Sequence, residues 1–313
     1  MVTEIYTYLY IIFIVLIAIS IVVSMIHYFK KKKDYDELVM RTKLWWGMAI
    51  IFSVSLIFSP TISLVSLGIL CTLVLKEYFS MTKTRKQDRR IFIWAYLAIP
   101  LHFYWIYIGW YGMFIIFIPI YVFLFLPLVR IFKSGSIGFL NSVATTQWGL
   151  MLMVFGLSHL ALFPKLTEIS EHEYELAVQY GGWLVLFVVV LTQMNDVVHY
   201  LVSKKLGKHK VIPSANPNLT WEGFIGGLSA VIIMSYFLAP YLTPLSKSHS
   251  IVAAMLIGFG GFFGTTVVSV VRRNLTFNHE GVKEGIQDKF IKKIDSLTYT
   301  APLFFHFVYY FYF

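Results

Sequence analysis

Ten apolar runs, each about 16 to 23 residues long, divide this chain of 313 residues, with only short polar stretches between them. A helix needs roughly 20 apolar residues to cross a hydrocarbon layer about 30 Å thick, so each run has the length of a membrane span. Only 13% of the residues are charged and 58% are hydrophobic, whereas about a quarter are charged in soluble domains. A water-soluble globule and a disordered chain are both excluded. So is a transmembrane β-barrel, whose strands would read as about ten residues of alternating polarity. The expected fold class is an all-α, polytopic integral membrane protein.

The spans fall near 5–26, 44–59, 61–81, 91–108, 113–132, 143–163, 182–202, 224–242, 251–271 and 297–313. Pro60 follows the second at once, and Pro100 and Pro119 lie inside spans, where kinks or re-entrant turns are expected because neighbouring helices satisfy the freed carbonyls. The start does not read as a cleavable signal peptide: Met1 to Glu4 carries no positive charge, and Lys30 to Lys33 follow the first run. No fixed-period repeat and no low-complexity linker is visible, so residues 1–313 read as one membrane domain. A softer boundary near 140 separates amino-terminal helices (1–140) from a carboxyl-terminal part (141–313) that holds nearly all the intramembrane polar residues. The single cysteine, Cys71, lies inside an apolar run and forms no intrachain disulfide.

Placing alternate loops inside collects 23 of the 26 Lys and Arg residues, at 27–43, 82–90, 130–138, 203–223 and 272–296. Loop 164–181, on the other side, holds Glu168, Glu171, Glu173 and Glu175. This asymmetry puts the amino and carboxyl termini outside and the basic loops in the cytoplasm. The net charge of +10 then faces anionic headgroups, which attract Lys and Arg near the surface. No loop is long enough to fold into a basic domain, so nucleic acid is not an expected partner. Trp45, Trp46, Trp105, Trp110 and the tail Tyr309 to Phe313 read as interfacial anchors.

Ionisable groups inside a membrane mark a site or a helix end. Lys76 and Glu77 sit near a span end and read as snorkelling or locally paired; His159 reads as a packing histidine. Asn195, Asp196 and His199 differ, since they share one span and run into Lys204, Lys205, Lys208, His209 and Lys210. Asp196, His199 and Tyr200 project to one helix face, which cannot be lipid. The loop from Gly207 to Gly223 is rich in Gly, Pro and hydrogen-bond donors, and lysine ammoniums beside exposed amides suit a phosphate group. The loop from Arg272 to Asp295 carries both signs and lies on the same side. Gly260, Gly261 and Gly264 precede it and let helices approach closely.

At these residues the sequence resembles the phosphatidate cytidylyltransferase (CDP-diacylglycerol synthase) family. The most specific stretch is Asn195-Asp196 through Tyr200, Gly207-Lys208-His209-Lys210, Pro213, Asn216-Pro217-Asn218, Thr220-Trp221-Glu222-Gly223 and Gly226-Gly227. The family reads there as an N-D/A-Y segment, G-K-H-K, S-P-N-K-T-W-E-G and G-G. The ending Asp295-Ser296-Leu297 with Ala301-Pro302-Leu303-Phe304-Phe305 is also similar, and Trp45-Trp46-Gly47 and Leu75-Lys76-Glu77-Tyr78 look like one bacterial subgroup.

The resemblance implies a protein of the bacterial-type cytoplasmic (inner) membrane that joins CTP and phosphatidate, giving CDP-diacylglycerol and pyrophosphate on the cytoplasmic face. It implies Asp196, Asp295 and Arg273 as catalytic residues, and Asn195, Lys208, Lys210, Asn218, Thr220, Glu222 and Arg272 as substrate-binding residues. Mg2+ would be held by Asp196 and Asp295, and a homodimer is implied by analogy.

The carboxyl-terminal signature departs from the family at preserved spacing. Ser269, Arg272 and Arg273 stand at the Ser, Lys and Arg positions, but Thr265, Asn274, His279 and Lys292 occupy four places where the family carries aspartate. Gly285-Ile286-Gln287-Asp288-Lys289 replaces a P-G-H-G-G run, and Leu219 replaces a lysine. One charge about 5 Å from a divalent ion contributes roughly 6 to 7 kcal/mol at an effective dielectric near 20, so losing two ligands would abolish a metal site of the family's type. Two readings follow. One is an active cytidylyltransferase or a close variant, with Asp196 and Asp295 holding metal and Lys208, Lys210, Arg272 and Arg273 gripping phosphates, Asp196, Glu222, Asp288 and Asp295 being the acids left for a relocated site. The other is a non-catalytic descendant needing no metal, which binds anionic phospholipid or nucleotide through Lys289, Lys292 and Lys293 or serves as a subunit of a membrane assembly. A transporter gains no support, since no inverted repeat is visible.

Overall fold

The structure, a computed structural model, describes residues 60–82, 89–134, 138–169, 174–277 and 291–313, with scattered positions between 14 and 46. By internal contacts the chain forms two units, Met1–Ser66 and Leu67–Phe313. In the first, Trp46 Nε1 donates to Ser20 Oγ at 2.8 Å. The boundary expected near 140 lies inside the second.

Helix α1 (Pro60–Ser80) opens on Pro60. Proline suits a first helical position, because its missing N–H has no partner there and its φ is already helical. Helix α2 (Arg89–Tyr107) follows and turns through Gly109, at φ 72°, into α3 (Tyr111–Ile116). Only glycine fits that corner: a Cβ would strain the left-handed backbone and stand 3.1 Å from the Glu168 carbonyl. A π-helical turn, Phe117–Val122, leads into α4 (Phe123–Ser134). The expected distortion at Pro119 is this wider turn, which absorbs the missing N–H without breaking the span.

Helix α5 (Phe139–Leu150) passes through a second π-helical stretch, Met151–Gly156, and two 3-10 turns into α6 (Leu166–Ile169), bending by 42°. Helix α7 (Tyr174–Leu206) comes next. The segment read from sequence as a loop holds a short antiparallel hairpin, β1 (Lys210–Ile212) with β2 (Asn216–Thr220), pairing Lys210 with Thr220 and Ile212 with Asn216. Then come α8 (Trp221–Leu242), α9 (Lys247–Phe277), α10 (Ile291–Ile294) and α11 (Leu297–Tyr312).

Five helical stretches are long and apolar enough to cross a membrane, one of them Tyr111–Phe132 running through α3, the π-helical turn and α4, and the bent pair Phe139–Ala161 with Phe163–Ile169 makes six. Ten are not reached among the described residues. The expected spans 5–26 and 44–59 lie outside them except for scattered positions. Ile91–Tyr107 belongs to the shorter apolar helices, and α11 has 16 residues, about 24 Å at 1.5 Å per residue and short of the layer.

Helix α7 is the hub of the second unit, packing on α8, α9 and α11, while α8 packs on α9 and α9 on α11. Leu184, Phe187, Val188 and Leu191 of α7 are fully buried. Ile225, Ile233, Phe237 and Tyr241 of α8 point outward, as side chains do where the surrounding solvent is lipid rather than water.

Candidate functional site

One face of α7 carries Thr192, Asn195, His199 and Ser203, spaced three or four residues apart and all buried against neighbouring helices. Polar groups in an apolar bundle are costly unless something receives them. Thr192 Oγ1 donates to Thr300 Oγ1 at 3.0 Å, and Ser203 Oγ accepts from Thr220 Oγ1 at 2.8 Å. Asn195 lies between two glycines: a Cβ on Gly227 would stand 2.6 Å from its Oδ1, and one on Gly261 2.8 Å from its Nδ2. Those glycines leave room for a carboxamide at the meeting of α7, α8 and α9.

Asp196 follows Asn195. Ser296 Oγ lies 2.7 Å from both Asp196 oxygens and donates to them, 3.0 Å from Thr265 Oγ1 of α9 and 3.4 Å from Asp295 Oδ1. Asp295 is buried; its Oδ1 accepts from Ser296 N at 2.9 Å and its carbonyl from Thr298 Oγ1 at 2.7 Å. A hydroxyl has one proton, so with Ser296 donating to Asp196, its oxygen is left to accept from Thr265. Two carboxylates from distant parts of the chain thus meet at Ser296, Asp196 at its hydroxyl and Asp295 at its backbone N–H.

The backbone explains why that hydroxyl is available. Ser296 is the N-cap of α11, but its φ of −63° and ψ of −39° are already helical and its side chain makes no cap bond. A capping serine normally has extended backbone, which lets its oxygen reach the first-turn amides for about 1 kcal/mol. Here the hydroxyl serves Asp196, in a charge-assisted bond stronger than a neutral one.

The hairpin is pinned beside this cluster. Thr220 caps α8, accepting from Gly223 N at 3.1 Å. Glu222 holds His209, whose Nδ1 lies 2.6 Å and backbone N 3.1 Å from Glu222 Oε1. Asn216 Nδ2 donates to Ser269 Oγ of α9 at 3.3 Å, one turn before Arg272. Lys208, Lys210 and Asn218 are exposed on the hairpin, Arg272 is half-buried and Arg273 exposed at the end of α9.

Of the residues singled out from sequence, Asp196 and Asp295 come together, with Asn195 packed beside them. Thr220 and Glu222 fill structural places, as a helix cap and as the partner of His209. Residues 278–290, with His279, Asp288 and Lys289, lie outside the described residues. Ser296 and Thr265 are not among the candidate site residues of the sequence; its signals for them are the Asp295-Ser296 pair and the place of Thr265 where the resemblance implies an aspartate, and nothing local joins residue 296 to residue 196. Among the described residues no three His, Cys, Asp or Glu side chains group as a metal cage would require. The Asp196 and Asp295 pair fits Mg2+ in another way, because Mg2+ is commonly held by one or two carboxylates and takes its other ligands from phosphates and water.

Comparison with known proteins gives the lineage. The chain is 34% identical over 274 residues to the uncharacterized protein YnbB of Escherichia coli (strain K12), covering 88% of each chain. It is 21% identical over 280 residues to the phosphatidate cytidylyltransferase of Haemophilus influenzae, covering 81% of this chain and 92% of that one. To the phosphatidate cytidylyltransferase of Chlamydia muridarum it is 25% identical over 193 residues, spanning 59% of this chain and 62% of the relative. Residues 39–311 match the Cytidylyltransferase family. With nearly the whole length matched and the motifs of 195–227 on the hairpin and helix ends that frame the carboxylate pair, the chain belongs to the cytidylyltransferase family.

Proposed function

We propose that this membrane protein is a CTP:phosphatidate cytidylyltransferase whose site is centred on Asp196 and Asp295 and faces the cytoplasm, with both termini on the outer side. The observation that carries the proposal is the convergence of these two carboxylates on Ser296, on helices to which the hairpin that carries Lys210 is also bonded. In the reaction a phosphate oxygen of phosphatidate forms a bond to the α-phosphorus of CTP, the bond from that phosphorus to the bridging oxygen breaks, and pyrophosphate leaves.

Bringing two polyanions together demands counter-charge at fixed positions. Lys208 and Lys210 supply it from the hairpin and Arg272 and Arg273 from the end of α9, while the hydrogen bonds of Thr220, Glu222 and Asn216 hold hairpin and helix in place. Mg2+, held by Asp196 and Asp295, would neutralise phosphate charge when bound. Protein purified in detergent, given CTP, phosphatidate and Mg2+, releases pyrophosphate on this reading. Folded protein releasing no more than Asp196→Ala would refute it.

A second reading, a non-catalytic binder of anionic phospholipid, is favoured by Thr265, a neutral hydroxyl in the cluster where the resemblance implies an acid. Its mark is phosphatidate binding that persists in EDTA with no turnover.

A further inference from the structure

A hydroxyl 2.7 Å from both oxygens of one carboxylate lies on the plane that bisects that carboxylate, equidistant from the two oxygens as a cation held by both would be. Asp196 thus offers its bidentate face to Ser296. Three observations show that the hydroxyl is held there by its surroundings. The helical backbone of Ser296 keeps its side chain off the amides of its own helix, Thr265 Oγ1 abuts it at 3.0 Å, and Ser296 N is tied to Asp295 Oδ1 at 2.9 Å. The backbone is therefore anchored independently of the hydroxyl, which can turn about χ1 by giving up its contacts with Asp196 and Thr265 while the chain stays in place.

We infer that Ser296 Oγ occupies the bidentate cation seat of Asp196, and that a divalent cation binds there by displacing this hydroxyl. Ser296 is then a positioning residue that sets how tightly the site takes metal, in competition with the cation. The inference rests on the proposed function for its use of metal, but it concerns binding and has its own readout. A hydrogen bond to a charged group must be given up when the cation enters, and its loss weakens binding by roughly tenfold or more.

The test is Mn2+ alone, titrated into purified full-length protein in lipid nanodiscs, with free Mn2+ followed by electron paramagnetic resonance. Ser296→Ala binds Mn2+ roughly tenfold tighter than the native protein. Ser296→Cys, which keeps a side chain of similar shape with a weaker donor, shifts the same way by less. Asp196→Asn placed on Ser296→Ala abolishes the gain. Unchanged or weaker binding in Ser296→Ala overturns the inference, as does a gain that survives Asp196→Asn or no Mn2+ binding by any variant. Lipid product formed by native protein in a parallel assay would show that the proposed function stands even where this inference fails.

Discussion

Ser296 reaches Asp196 across 100 positions of sequence and lies 2.7 Å from both of its carboxylate oxygens. The contact ties α7 to the start of α11, and it brings Asp295 along, because Asp295 precedes Ser296 and accepts from its backbone N–H. Chemistry that needs two acids in one place therefore depends on helix packing as much as on the acids.

Replacing Asp196 by Asn keeps the shape and still offers Ser296 an oxygen, so the fold is retained. Turnover falls by about 100-fold or more, the usual scale for removing one electrostatic group from a site that stabilises developing charge. Pyrophosphate release, with folding checked by size-exclusion chromatography, reads this out; near-native rates would remove Asp196 from the chemistry.

Gly261→Ala would set a Cβ 2.8 Å from Asn195 Nδ2, with the next neighbours at 3.8 Å. Overpacking of this kind costs about 1 to 3 kcal/mol. The clash is with one side chain, so adding Asn195→Ala relieves it, and the double variant is more stable than the sum of the single changes by about 1 kcal/mol. Thermal unfolding of the four proteins in detergent measures the coupling. Additive effects would mean that the carboxamide is not what the glycine accommodates.

Thr220→Ala removes both the cap of α8 and the bond to Ser203, lowering stability by about 1 to 2 kcal/mol. Thr220→Ser restores most of it, because only the hydroxyl is used. A serine variant as unstable as alanine would place the effect in the methyl group.

The orientation is checked with cysteines. Cys71 is fully buried and should stay unlabelled by a membrane-impermeant maleimide. Ser214→Cys, exposed at the hairpin tip, should label only from the cytoplasmic side, and Ser248→Cys, exposed at the start of α9, only from the outer side. The reverse pattern would invert the topology and put the hairpin on the wrong face.

Much of the fold was legible because a bilayer demands long apolar helices, and the runs that became α1, α7, α8 and α9 announce themselves. The polar character of α7 was legible in part: Asp196, His199 and Tyr200 fall at helical spacing, but the buried face runs through Thr192, Asn195, His199 and Ser203 and shares only His199 with them. The hairpin was not: its strands are three and five residues long, and Pro217 sits inside one of them, with no alternation to mark it. Thr220 and Glu222 drew attention as ligand-binding residues through resemblance, but their hydrogen bonds go to a helix cap and to His209, a distinction that depends on backbone geometry. Ser296 escaped notice as a site residue because its role is a contact between segments far apart in sequence.

The most direct test of the account is lipid product itself. Purified protein in phosphatidate-containing vesicles, given Mg2+ and CTP labelled at the α-phosphorus, should transfer label to a chloroform-soluble lipid of the mass of CDP-diacylglycerol, and EDTA or Asp196→Asn should abolish the transfer. Folded, vesicle-inserted protein that leaves all the label in the aqueous phase would contradict it.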